Sequence, residues 1–206
     1  MNIGYSKFMA IKAVIFDGGG VVVEWQETFR RFSRLIKVDY NALLQAYLRF
    51  APEPEIGKQS FDWHLQMTMK DVGQIDRWRE LRQIVPKGFT RIEPTFQLLK
   101  ELQGKFKRAL LTNADLGVKE ELDQYIDYLK YFEVVIDSSV VKLRKPGAEI
   151  FYLTCKSLSL RPKECLFVDD FIENVAAAEK LGFKTIHFKD PVSSVKLIRK
   201  TLYEKI

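Results

Sequence analysis

Cysteine and histidine are scarce, with two of each among 206 residues. Cys155 and Cys165 cannot make the disulfide framework of a stapled secreted scaffold, so a reducing cytoplasm is the expected location. His64 and His187 do not sit in a cluster of metal-type ligands, which leaves a zinc centre and a Ser-His-Asp triad without ingredients. Both are read as structural or surface residues. Long apolar runs are also missing. Lys7 and Lys12 precede Ala13-Val14-Ile15-Phe16, but Asp17 and the glycines 18–20 end that run far short of a signal peptide or a membrane span. No membrane partner is expected. The Gly-Lys-Ser/Thr ending of a phosphate-binding loop is absent. Charge of one sign is not segregated, since 33 Lys plus Arg are interleaved with 27 Asp plus Glu for a net +6. No nucleic-acid motif accompanies it, so a nucleic-acid partner is not expected and a small anion is favoured instead. Repeats, low-complexity stretches and long linkers are lacking as well.

What is present suits a compact core with at most a small second lobe: 47% of residues are apolar and 29% charged. Short apolar runs read as buried strands at Lys12 to Phe16, Arg108 to Leu111, Phe132 to Ile136, Cys165 to Val168 and Lys184 to Phe188. Helical patterns lie between them, at Pro94 to Gly104, about Gly117 to Lys130, Pro146 to Leu158, Asn174 to Leu181 and Val192 to Glu204. Strand and helix alternate from Arg108 onward. That alternation predicts an α/β fold, a doubly wound parallel sheet that binds ligands beyond the carboxyl ends of its strands.

From about Glu27 to Val85 the chain reads as wholly helical. Phe29, Phe32, Leu35 and Ile36 form one stripe, and Leu43, Leu44, Tyr47 and Leu48 form a second after a cap at Asp39. A turn at Pro52 and Pro54 follows. Ser60 caps a third helix carrying Phe61, Leu65 and Met69, and Ile75, Trp78, Leu81 and Ile84 suggest a fourth. The expected division is an α/β core of residues 1–24 and 86–206, with residues 25–85 inserted after the first strand as a small all-helical cap over the sheet's carboxyl edge.

Chemistry concentrates at four strand ends. Ile15-Phe16-Asp17-Gly18-Gly19-Gly20 places a carboxylate at the end of an apolar strand, before glycines that let backbone N–H groups approach an anion. Asp17 is a nucleophile, a metal ligand or a turn former on this evidence. A dinucleotide fingerprint fails, because position 23 is valine and Val21-Val22-Val23 is a poor helix start. Thr112 and Asn113 end the second strand with groups able to bond phosphate oxygens. Arg144-Lys145-Pro146 offers a cation before a helix. Asp169 and Asp170 end another strand as paired carboxylates, a costly arrangement without a cation.

In order and spacing these four segments resemble the motifs of the haloacid dehalogenase (HAD) superfamily, from about Lys12 to His187. The resemblance implies a Rossmann-like core and a hydrolase, a phosphatase acting on a small phosphorylated metabolite. It implies Asp17 as nucleophile, Thr112 and Asn113 as phosphate holders, and Lys145 as the lysine that neutralises charge and contacts substrate. It also implies Mg²⁺ held by Asp17, Asp169, Asp170 and a carbonyl near Gly19, with Asn174 supporting the acidic pair. One position departs from the pattern. Family phosphatases usually carry a second aspartate, an acid-base catalyst, two residues after the nucleophile, and here Gly19 stands there. Glu24 and Asp115 are nearby acids able to substitute for it, although a solvated surface role is the favoured reading for both. A catalytically quiet binding protein and a metal-free halide displacement by Asp17 are the rival readings.

Overall fold

The structure, a computed structural model, describes residues 10–203. Lys7 and Glu204, and the outer ends of segments 1–24 and 86–206, lie outside the described residues. The chain runs from β1 (Ala13–Phe16) through β2 (Val23–Glu24) into α1 (Gln26–Ile36), α2 (Tyr40–Phe50), α3 (Phe61–Asp71) and α4 (Trp78–Ile84). It leaves them through β3 (Thr90–Arg91) and then alternates. In order come α5 (Glu93–Leu102), β4 (Lys107–Thr112), α6 (Val118–Ile126), β5 (Val134–Asp137), the short α7 (Ser138–Val141) and α8 (Ala148–Leu158). The last elements are β6 (Cys165–Asp169), α9 (Ile172–Lys180), β7 (Lys184–His187) and α10 (Pro191–Tyr203).

The main sheet is parallel throughout, in the order β5-β4-β1-β6-β7. Its strands are apolar on both faces because helices cover both. Val14 and Phe16 of β1 pack with Phe96 and Leu99 of α5 and Ile198 of α10, whereas Ala13 and Ile15 pack with Ile150 and Phe151 of α8. The winding direction reverses at β1, so the crevice between the loops after β1, β4 and β6 opens beyond Asp17. Cys155 and Cys165 are free, buried thiols that hydrogen-bond each other where α8 meets β6.

Helices α1 to α4 enclose a core of their own, built on Phe29, Phe32, Leu43, Leu65, Met69 and Leu81. Asp39 accepts from the Ala42 amide and Ser60 from the Trp63 amide, capping α2 and α3 as their residue types suggest. Leu35 does not join the stripe and is 62% exposed, because its neighbour Ile36 takes the inward direction. Two other differences have local causes. The helix expected to open at Pro146 opens at Ala148, with Gly147 as the N-cap in an extended conformation. The helix expected to run to Lys130 stops at Ile126, where Asp127 turns left-handed and the Asp123 carboxylate accepts from the Tyr128 and Leu129 amides. The strands β2 and β3 pair antiparallel, Val23 with Arg91 and Glu24 with Thr90, so entry to and exit from the helical segment lie side by side. Among the described residues no helix is long and apolar enough to cross a membrane.

Candidate active site

Asp17 follows β1 directly, and its amide donates to the Val168 carbonyl at 2.9 Å, which holds the residue to the sheet one step past the strand. Its Oδ1 accepts from the Gly18 amide at 2.6 Å and lies 2.7 Å from Lys145 Nζ. The same ammonium donates to Asp169 Oδ2 at 2.7 Å. Lys145 is only 1% exposed, and burial pulls its pKa down; Asp169 and Asp17 outweigh that and hold the ammonium above its usual range. Asn113 fixes the lysine's backbone from both sides, accepting from the Lys145 amide at 2.9 Å and donating to its carbonyl at 3.0 Å. The Asn113 amide is thereby spent on Lys145.

Asp169 is equally occupied, since its carboxylate accepts from Lys145, from the Phe171 amide at 2.8 Å and from Asn174 Nδ2 at 3.1 Å. Asp170 is different. Its Oδ1 is buried with no hydrogen-bond partner, an expensive condition for a carboxylate. Burial, then the charge of Asp169, pushes its carboxyl up to about 7. Burial and Asp169 likewise raise Asp17 well above the ordinary carboxylate range, against the pull of Lys145. One oxygen from each of the three aspartates lies within 4.8 Å of the others. An all-oxygen set with one orphaned carboxylate atom fits a small hard divalent cation. Gly20 makes the approach possible: at φ +78 it takes a conformation that favours glycine, and a Cβ there would overlap the Asp170 carboxylate. His187, opposite Asp169 in the ladder, holds the Asp170 carbonyl through Nε2 at 3.0 Å.

Asp17, Gly19, Thr112, Asn113, Lys145 and Asn174 all line one cavity of about 320 Å³. Its wall is completed from α1 to α4 and their connections by Trp25, Tyr47, Leu48 and Glu55, and from the core by Phe89 and Tyr128. Arg144 faces it too, paired with Glu55 at 2.6 Å. Arg77 is committed to Glu80 on an exposed face. Glu24 caps α1, accepting from the Glu27 amide at 3.0 Å. One reading changes: Asp115 is a buried cavity residue, not a solvated one, and its partner at 2.8 Å is His64, which is fully buried. The sequence signal for this pair was faint, because 51 positions separate the two residues.

The family model of haloacid dehalogenase-like hydrolases matches residues 11–182. The chain belongs to that family, and it is a hydrolase. Among curated relatives it is 26% identical over 192 residues to the phosphorylated carbohydrates phosphatase of Thermotoga maritima, covering 86% of this chain and 84% of that protein. It is 20% identical to the fructose-1-phosphate phosphatase YqaB of Escherichia coli, covering 84% and 94%. A shorter match is 40% identical over 67 residues to acyl-CoA dehydrogenase family member 10 of Mus musculus, spanning 32% of this chain and 6% of that protein. A HAD-like family hydrolase of Porphyromonas gingivalis superposes with a TM-score of 0.72 at 24% identity, over 95% of this chain and 99% of the other. The L-2-haloacid dehalogenase of Xanthobacter autotrophicus gives 0.69 at 22%, over 85% and 76%. A HAD family enzyme of Bacteroides thetaiotaomicron, in complex with magnesium and inorganic phosphate, gives 0.61 at 23%, over 86% and 93%. These likenesses are of fold.

Proposed function

We propose that this hydrolase is a Mg²⁺-dependent phosphomonoesterase that acts on a small phosphorylated metabolite through an aspartyl-phosphate on Asp17. The observation that carries the reading is the buried Lys145 ammonium bridging Asp17 and Asp169, beside an Asp170 oxygen that has no protein partner. Asp17, Asp170, the Gly19 carbonyl and, more remotely, Asp169 would hold Mg²⁺, which supplies Lewis-acid neutralisation of the phosphate when bound. Asp17 attacks phosphorus. Thr112 and the Asn113 main chain bind phosphoryl oxygens, and Lys145 offsets the charge that gathers on the transferring group. Asp169 serves chiefly to position Lys145, and Asn174 positions Asp169.

In this reading residues 25–85 form the cap and residues 1–24 and 86–206 the core, with substrate held between them. The relatives named for phosphorylated carbohydrates support a small phosphorylated substrate. The free cysteines support a reducing, cytoplasmic setting. The glycine at position 19 favours a second reading, a binding protein that has lost catalysis. A screen of phosphorylated metabolites with and without Mg²⁺ separates the two. Turnover that needs Mg²⁺ and vanishes in Asp17→Asn supports the phosphatase. Turnover that survives both chelation and that substitution removes it, and halide release from a 2-haloacid in the presence of chelator would install the dehalogenase in its place.

A further inference from the structure

Position 19 offers no acid, and a side chain there would begin 3.1 Å from the Trp25 indole. The departing oxygen needs a proton from elsewhere in the cavity. Two buried or half-buried acids of the wall come into question. Glu55 is held by Arg144 through Nε at 2.8 Å and a second nitrogen at 2.6 Å; burial raises its carboxyl, but a proton on it would leave the guanidinium without that partner. Asp115, in the loop between β4 and α6, is only 4% exposed and lines the same cavity as Asp17 and Thr112. Its Oδ2 lies 2.8 Å from Nδ1 of His64, a fully buried residue of α3.

The far side of the imidazole settles the proton count. His64 Nε2 lies 2.8 Å from the Tyr47 carbonyl oxygen, and the Tyr47 ring stacks on the imidazole with centroids 4.1 Å apart. A carbonyl only accepts, so Nε2 carries a hydrogen, and one further proton is shared between Nδ1 and Asp115. Moving that proton along the 2.8 Å contact turns an imidazolium and a carboxylate into a neutral imidazole and a carboxylic acid. The ionisable groups that face the pair are Tyr47 from α2 and Glu55 from the turn after it, with Arg144 from the core against Glu55.

We propose that Asp115 and His64 are the general acid-base pair of this enzyme, an inference that rests on the phosphomonoesterase reading. Asp115 is the catalytic residue, and His64 is the positioning residue that holds and returns its proton. As the bond between phosphorus and the leaving oxygen breaks, its electron pair stays on that oxygen, which takes the Asp115 proton; the bare Nδ1 and the carboxylate are then both acceptors, so the 2.8 Å contact opens until a proton returns. In the second half a water attacks the aspartyl-phosphate, the electron pair of the broken bond returns to Asp17, and the proton released by the water goes back to the pair. One proton leaves and one returns.

The same contact could serve only to latch α3 to the core, so the test must read proton transfer. Asp115→Asn keeps an oxygen to accept from Nδ1 and so keeps a latch, but it has no proton to give. The full-length variant is assayed with Mg²⁺ on p-nitrophenyl phosphate, whose leaving group departs as a stable anion, and on a simple alkyl phosphate, whose leaving group does not. The pair predicts a loss of kcat about 10²-fold greater on the alkyl ester than on the aryl ester. It also predicts that the alkaline fall of the wild-type alkyl rate is missing from the variant. His64→Gln is expected to show the same selectivity, and it decides the matter if Asp115→Asn does not fold. Equal losses on both esters, or none, overturn the pair, as does a wild-type protein that cleaves the aryl ester alone. A wild-type protein that cleaves neither these esters nor any phosphorylated metabolite of the Mg²⁺ screen refutes the phosphomonoesterase reading itself, a separate failure that takes the pair with it.

Discussion

At the scale of single residues the site is a problem in charge. Three aspartates meet one lysine, so with all three ionised two negative charges are left over, and Asp170 is the carboxylate with an oxygen that has no partner. For Asp170 the sign is definite. Its folded value of about 7 lies above its ordinary 3.8, so between those limits the folded chain binds more protons than the unfolded one. Stability of the metal-free protein is therefore present in full below about pH 4 and is lost as pH rises through 7, as far as this group is concerned. Added Mg²⁺ reverses the loss by binding only the folded state. Melting curves at pH 5 and pH 8 with and without millimolar Mg²⁺ check this, and Asp170→Asn should flatten both responses; a wild-type protein indifferent to Mg²⁺ at pH 8 would sink the site. Lys145 carries the opposite stake. Lys145→Met leaves Asp17 and Asp169 buried without their cation and is expected to cost about 3–5 kcal/mol, read by urea denaturation. A loss under about 1 kcal/mol would mean that the aspartates simply take up protons and lose their charge. Asp17 and the Asp169-Asp170 pair were legible because they directly follow apolar runs, and Lys145 because it stands with Arg144 before a proline and a helix. Asp115 was legible only as a nearby acid, and its burial and its pairing with His64 were not, since they lie in a contact between segments that no local pattern records.

The elements were legible where periodicity is long and blurred where side chains override it. Five strands and the larger helices lie where apolar spacing puts them, and Asp39 and Ser60 are the caps that their residue types announce. The β2 and β3 ribbon escaped notice because two-residue strands carry no alternation to count. The short α7 escaped because its hydrogen bonds begin at Asp137, where an Asx turn onto the Ser139 amide and hydroxyl precedes it directly after a strand. At this scale the caps make a separable prediction. Asp39→Ala and Ser60→Ala each remove an acceptor from an exposed helix start and should cost roughly 1 kcal/mol. The losses should add within about 0.5 kcal/mol if the caps act independently. Calorimetry of the single and double variants measures this, and a double variant no less stable than either single one would contradict it.

For the whole molecule, the winding of the sheet and the helical insertion divide the work. The reversal at β1 brings Asp17, Thr112 and Lys145 to one crevice; the sequence shows Asp17, Thr112 and Asp169 at strand ends, while Lys145, expected at a fourth, lies in the connection before α8, and the wall supplied by Trp25, α2 and the turn after it is not visible in the sequence. The Trp25 indole, at the entrance to α1, stands against Gly19 and is packed on Phe29 and Tyr47 at centroid distances of 5.3 and 5.7 Å. Gly19 lies outside the left-handed region, so its backbone admits other residues and the obstacle to Gly19→Asp is the indole. An aspartate at 19 and the Asp115–His64 pair are two ways of delivering one proton, and they should not be additive. In the Asp115→Asn protein, Gly19→Asp combined with Trp25→Ala should therefore restore much of the lost alkyl-phosphate turnover. In the wild-type background the same two changes should add little beyond the packing lost with the indole. The ratio of alkyl to aryl kcat, measured with Mg²⁺ across the four backgrounds, reads the effect free of changes in overall activity. A folded Gly19→Asp, Trp25→Ala, Asp115→Asn protein whose ratio stays as low as that of Asp115→Asn alone would show that a carboxylate at position 19 cannot reach the leaving oxygen in this cavity.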